Sequence, residues 1–256
     1  MRIASWNILS GTAVEPGDAP TLAAAAARLD ADVLALQEVD HAQPRSGHAQ
    51  QTRDAAAAMG AVDWRFGPAY LGNSLEDWVG TKGVLHAPED PLLLEPHYGI
   101  ALISRIPVQR WHRIELGRSR VGLPLLHARD GVRRWRYIPD EHHLALAAEL
   151  ANGWTVIATH LSFVPPVNLR QLAILKRWAS TFGRKVVILG DLNLIGRLPT
   201  WASDWVSAHV QPTYPSWAPR VQFDHILVRP DVATHPLQLA KPMLSDHLPI
   251  AAAIDC

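Results

Sequence analysis

The chain has 256 residues, 48% of them apolar, and equal totals of basic and acidic side chains, 24 each, so its formal charge is zero with histidine neutral. That length can bury a large core in one domain spanning 1–256, and the charge balance argues against a generally sticky polyanion binder. The single cysteine, Cys256, excludes an intrachain disulfide, and no apolar run approaches a membrane span. The sequence opens directly on an apolar strand-like run, so no leader is expected, and a cytoplasmic setting is the default.

In chain order, residues 2–9 read as a strand, followed by a loop containing Gly11, Pro16 and Gly17. Leu22, Ala25, Ala26 and Leu29 repeat at helical spacing behind Pro20. Residues 33–36 form a short strand ending at Glu38. Ser46 is expected to cap a helix running to Met59 and closed by Gly60. Residues 98–104 and 107–116 look like a strand pair. Residues 143–150 and 154–161 look like a hairpin around Asn152-Gly153. Leu169, Leu172, Leu175 and Trp178 mark an amphipathic helix ending at Gly183, and 185–189, 221–228 and 248–254 complete the strands. Segments 72–95 and 117–131 are the expected long loops. Hairpins mixed with helices imply an α+β class, with mostly antiparallel sheets covered by helices.

Short polar clusters stand beside the apolar runs: Ser5-Trp6-Asn7, Gln37-Glu38, Thr159-His160, Gly190-Asp191-Leu192-Asn193 and Ser245-Asp246-His247. An ionisable group next to a buried strand is costly unless paired or bound to a cation. Several of them imply strand ends that converge on one site. Asp191 and Asn193, two apart, point the same way in extended chain. In a strand, Asp246 and His247 would face opposite sides, one toward a metal and one toward substrate. Glu38 and Asp246, with Asn7 nearby, would supply the one or two carboxylates that Mg²⁺ prefers. His160 suits proton donation to a leaving oxygen, and Asp224 suits orientation of His247. Each cluster alone also reads as an ordinary turn, cap or exposed strand end.

The ordered set Ser5-Trp6-Asn7, Leu36-Gln37-Glu38, 98–105 (YGIALISR), Thr159-His160-Leu161, Gly190-Asp191-Leu192-Asn193, 223–227 (FDHIL) and 245–249 (SDHLP) resembles the endonuclease/exonuclease/phosphatase superfamily. Pancreatic deoxyribonuclease, inositol polyphosphate 5-phosphatases and neutral sphingomyelinases belong to it. The resemblance implies a four-layered α/β/β/α sandwich of two packed, mostly antiparallel mixed sheets flanked by helices. It also implies a cation, Mg²⁺ or Mn²⁺, at Asn7, Glu38 and Asp246, and catalysis by His160, Asp191, Asn193, Asp224 and His247. The expected activity is hydrolysis of a phosphate ester by in-line attack of water, as a phosphodiesterase or nuclease. Either Asp191 or the Asp224–His247 pair would serve as base. A small or lipid-derived phosphate is the alternative substrate, and a binding module without catalysis is the remaining rival.

Two features bear on substrate. Arg105, Arg110, Arg113, Arg118, Arg120, Arg129, Arg133, Arg134 and Arg136 face only Glu115 and Asp130 over segment 105–136, a formal +7. Such a segment would suit nucleic acid or a multiply phosphorylated group, or else its arginines pair with acids elsewhere. Trp201, Trp205, Tyr214 and Trp217 lie between the Asn193 and Asp224 motifs, placed to stack on a base or to pack a loop. No long basic amphipathic helix supports membrane insertion.

Overall fold

Strands with apolar residues at almost every position need cover on both faces. The computed structural model describes residues 1–14, 19–73, 79–80, 87, 95–129, 132–201 and 203–255. In chain order its strands are β1 (Arg2–Asn7), β2 (Val33–His41), β3 (Asp63–Leu71), β4 (Val79–Gly80), β5 (His97–Ser104), β6 (Val108–Gly117), β7 (Leu123–Arg129) and β8 (Val132–Ile138). They continue as β9 (His143–Leu150), β10 (Thr155–His160), β11 (Val186–Asp191), β12 (Val206–Ser207), β13 (Asp224–Val228), β14 (Thr234–Leu237) and β15 (Ile250–Ile254). The helices are α1 (Leu22–Arg28), α2 (Gln51–Met59) and α3 (Val167–Ala179).

One sheet runs β14-β15-β1-β2-β5-β3-β4 and the other β12-β13-β11-β10-β9-β6, with β7-β8 as a separate ribbon. The pairs β1/β2 and β10/β11 are parallel and the rest antiparallel. Three cores separate four layers. The central one joins inward faces of both sheets, including Ile3, Val33 and Leu102 from one and Leu146, Val156 and Leu189 from the other. Ala4, Trp6, Leu34 and Leu36 face the opposite way and pack on Ala25, Ala26, Ala55 and Met59 of α1 and α2. Ile157, Val186 and Ile188 pack on Leu172, Leu175 and Ala179 of α3. This is the expected α/β/β/α sandwich.

Several local expectations change. Residues 98–104 and 107–116 are not a pair: β5 and β6 lie in different sheets, and the bend at Arg105 and Ile106 carries the chain across the sandwich. The first strand stops at Asn7, because Leu9 and Ser10 take positive φ in a 3₁₀ turn. Ser46 caps nothing. It ends a short 3₁₀ turn closed by Gly47, and the helix starts at Gln51. Leu169 is exposed, so the buried stripe of α3 runs through Leu172, Leu175 and Ala179 instead. Segment 117–131 contains β7 rather than a plain loop, whereas most of 72–95 lies outside the described residues.

Candidate active site

Alternation along the inner strands builds the site. In β10, Val156 and Ala158 face the central core, and the next position of that parity is His160. In β11, Val187 and Leu189 are followed by Asp191, and in β13 Ile226 and Val228 are preceded by Asp224. The register sets these side by side, His160 opposite Asp191 and Asp191 opposite Asp224. In β1 the same rule carries Ile3 and Ser5 on to Asn7. The inward faces thus run out of apolar residues at one edge and end in polar ones.

Gly190 permits the close pairing there, since a Cβ at that position would meet the Thr159 carbonyl oxygen at 1.9 Å.

Glu38 arrives differently. By simple alternation it would follow Leu36 into the helix-facing core. A bulge between Leu36 and Val39, with Glu38 at φ 56°, turns it aside. Asp246 and His247 lie outside any strand, so the expectation of opposite strand faces does not hold. Ser245, at φ 63°, anchors this loop by donating its hydroxyl to the Asn7 carbonyl at 2.6 Å and accepting the His247 N–H at 3.1 Å. Trp6 Nε1 holds the His247 carbonyl at 3.1 Å.

The polar atoms converge on Asp191. Its Oδ2 accepts from Asn7 Nδ2 at 3.1 Å and lies 3.6 Å from His160 Nε2 and 3.8 Å from His247 Nε2. Asn7 Nδ2 also donates to Glu38 Oε1 at 2.9 Å, joining the two carboxylates. His247 Nδ1 meets Asp224 Oδ2 at 2.8 Å. Asn193 does not extend from Asp191 as a strand. Its φ is 50°, its N–H donates to Asp191 Oδ1 at 2.9 Å, and its amide nitrogen donates to Leu161 O and lies 3.4 Å from His160 Nε2.

The electrostatics sort these groups. Burial works against a charge on His247, but Asp224 and Asp191 outweigh it and push its pKa up to about 10. Burial also disfavours ionised Asp191, yet His247 and His160 hold its pKa below the ordinary value. Asp246 is raised to about 6, chiefly by burial and by Glu38, with His247 opposing. Asp246 and Glu38 therefore feel each other as like charges. Oxygen donors that repel one another in a half-buried setting fit a hard divalent cation, and Asn7 stands beside them.

Other contacts at the site escaped the sequence reading. Glu141 is pushed up to about 8 by burial, then by Glu38 and Asp140, and hydrogen-bonds Tyr98. Its signal was available: 140–143 (DEHH) precedes an apolar strand as the other clusters flank theirs. The Tyr214 ring stacks at a tilt 5.0 Å from that of His247. Tyr214 already stood out among the aromatics between the Asn193 and Asp224 motifs, but its contact with His247 is set by the fold and leaves no local signal.

The arginine-rich segment divides. Arg105 bonds Asp30 and the Met59 carbonyl, and Arg113 bonds Glu115 and the Pro68 carbonyl. Arg110 is exposed, 3.8 Å from Glu149. The side chains of Arg129, Arg133, Arg134 and Arg136 lie outside the described residues. Trp205 is buried and stacks under Arg229, whereas Trp201 and Trp217 are exposed. Among the described residues no helix is long and apolar enough to cross a membrane.

Among solved structures, similarity extends over the whole fold. An endonuclease/exonuclease/phosphatase from Beutenbergia cavernae superposes with a TM-score of 0.61 at 22% identity, covering 98% of this chain and 70% of that one. The human Nocturnin catalytic domain with bound sulfate gives 0.59 at 15%, covering 100% and 93%. Danio rerio TDP2 complexed with a single-strand DNA product gives 0.53 at 14%, covering 100% and 99%. No curated protein matches significantly. The family model for the endonuclease/exonuclease/phosphatase family matches residues 4–247, and the chain belongs to that family.

Proposed function

We propose that the chain is a divalent-cation-dependent phosphodiesterase that cleaves nucleic acid by in-line attack of water. The observation that carries this reading is the convergence on Asp191 Oδ2 of Asn7, His160 and His247. Glu38 and Asp246 would hold Mg²⁺ or Mn²⁺ with Asn7 at their side. When bound, such a cation polarises a phosphoryl oxygen and neutralises developing charge.

The protein groups divide the remaining work. Asp191 stays ionised and accepts the proton of the attacking water. His247 keeps its proton across the neutral range, so it acts as a donor to a phosphoryl oxygen and not as the base. Asp224 fixes the tautomer and supports the charge. His160 and the Asn193 amide face the same space, His160 suited to protonate the leaving oxygen and Asn193 to hold the phosphate.

Two observations support nucleic acid as substrate. Trp135 and Tyr137 are exposed on β8, and Trp201 and Trp217 are exposed on the loops after Asn193 and before Asp224. Flat exposed aromatics suit base stacking, worth about 1–3 kcal/mol per base. The Danio rerio neighbour carries a single-strand DNA product.

The test compares plasmid DNA, single-stranded DNA, RNA, inositol phosphates and sphingomyelin under Mg²⁺, Mn²⁺ and chelator. Cation-dependent cleavage of DNA or RNA is expected. Turnover of only the small or lipid phosphates would replace the substrate assignment, and no turnover of any would overturn the enzyme.

A further inference from the structure

A second buried ionic pair, unused in the mechanism above, adjoins the site. Asp140 and the first residue of β9, His143, have side chains 0% and 4% exposed. Asp140 Oδ1 accepts from Ser162 Oγ at 2.8 Å and faces His143 Nε2 at 3.2 Å, and its Oδ2 accepts the Ser119 N–H. On the other side of the ring, His143 Nδ1 lies 2.8 Å from the main-chain carbonyl oxygen of His160.

The donors and acceptors fix most of the proton placement. A carbonyl oxygen carries no proton, so Nδ1 is the donor toward His160. Nε2 then faces a carboxylate oxygen, and the contact is favourable only when one proton lies between them. Burial lowers the His143 pKa while Asp140 opposes that. Burial likewise raises Asp140, but His143, Ser119 and Ser162 more than reverse it. Whichever atom holds the shared proton, the Nδ1–H bond to His160 remains.

That bond replaces something the sheet does not supply. The pairing of β10 with β9 ends at Thr159 opposite Ala145, one residue short of His160. A side chain of β9 therefore takes the carbonyl where no strand N–H does. The rings of His143 and His160 also meet edge to face, centroids 5.8 Å apart at 76°. His160 is thus held in main chain and in ring by one neighbour. Asp140, through Ser119 and Ser162, ties that neighbour to the base of the β7–β8 ribbon and to the turn after β10.

We propose that His143, braced by Asp140, is a positioning residue that keeps the His160 imidazole aimed at Asp191 and Asn193. The inference rests on the hydrolase reading of the same site.

Two substitutions separate its halves. In His143→Asn the amide nitrogen can fall where Nδ1 stood and still reach the His160 carbonyl. In His143→Gln it falls nearer Nε2, on the Asp140 side. Both are assayed on bis(p-nitrophenyl) phosphate with Mn²⁺ and with Mg²⁺. Both are also followed by the ¹H–¹³C Cε1 signal of His160 through a pH titration without metal or substrate, assigned with His160→Gln.

The Gln variant should lose about tenfold in kcat with KM changed by no more than about twofold. Its His160 signal should broaden or move. The Asn variant should keep kcat to within about threefold of wild type and the wild-type signal. Equal kcat in the two variants with an unmoved His160 signal would overturn the proposal, as would failure of both to fold, which would assign His143 to stability alone. If wild type fails to hydrolyse the diester with either cation, the hydrolase reading fails separately. The His160 signal of the Gln variant still decides the positioning role.

Discussion

The two sheets supply the site by different physical routes. In the β12-β13-β11-β10-β9-β6 sheet, His160, Asp191 and Asp224 occupy positions that strand alternation already aims inward, and hydrogen-bonded register places them on neighbouring strands. The other sheet gives Asn7 by the same rule, but it delivers Glu38 only through a bulge, and Asp246 and His247 only through a loop hung on Ser245. Glu38 and Ser245 both sit at positive φ, which a non-glycine residue adopts at some cost. His160, Asp191 and Asp224 therefore extend an ordinary core. Glu38, Asp246 and His247, which include the proposed cation-facing groups, depend on special backbone.

The contrast is broken most severely at Asp191, where both halves meet. Asp191→Asn preserves size and the acceptor for the Asn193 N–H, but removes the charge between His160 and His247. We expect kcat to fall by about 10²–10⁴-fold with the thermal midpoint little changed. Steady-state cleavage of a labelled oligonucleotide measures it, and turnover within about threefold of wild type would exclude Asp191 as the base.

The next effect appears in stability and tests the link between the halves, where strand-placed Asp224 holds loop-borne His247. His247 has a folded-state pKa of about 10, above its ordinary value of 6.5. A group whose folded pKa is raised stabilises fully below the unfolded pKa and loses that contribution as pH climbs through the folded one. Thermal midpoints should thus fall between about pH 6.5 and pH 10 on account of His247. In Asp224→Asn the largest opposing charge disappears, so this part of the decline should shrink, by on the order of a few kcal/mol at neutral pH. Parallel curves for wild type and Asp224→Asn would show that Asp224 does not hold the His247 charge.

How much of this the sequence carried follows from the same contrast. Polar clusters beside apolar runs singled out Asn7, His160 and Asp191, and Asp224 stood out as an acid within one; strand parity is what turns all four inward. Helices α1 and α3 were legible from their spacing. The bulge at Glu38 was not, because a one-residue insertion leaves no compositional trace; Glu38 stood out as a carboxylate closing an apolar run, but the backbone that turns it toward the site did not. The crossing at Arg105 and Ile106 looked like a hairpin because two strands a short bend apart look alike whether they pair or change sheets. Glu141 and His143 carried the same signature as the recognised clusters, since 140–143 precedes its apolar strand as 245–247 precedes residues 250–254.

The smallest expected effect sharpens the cation-facing half. Asp246, raised to about 6 by burial and Glu38, must release its proton to bind a cation, so protons compete with metal as pH falls. Mn²⁺ affinity, read from the free-ion electron paramagnetic resonance signal, should weaken between pH 8 and pH 5. Glu38→Gln removes one oxygen anion and also the repulsion that helps to raise Asp246. Affinity at pH 8 should drop at least about tenfold, and the remaining pH dependence should move to lower pH, since Asp246 then ionises more readily. These two changes are linked: a cation seat elsewhere would leave Mn²⁺ affinity indifferent to Glu38→Gln. The next place to look would then be Asp191, Asp224 and His247, whose ligand atoms all lie within 4.8 Å of one another.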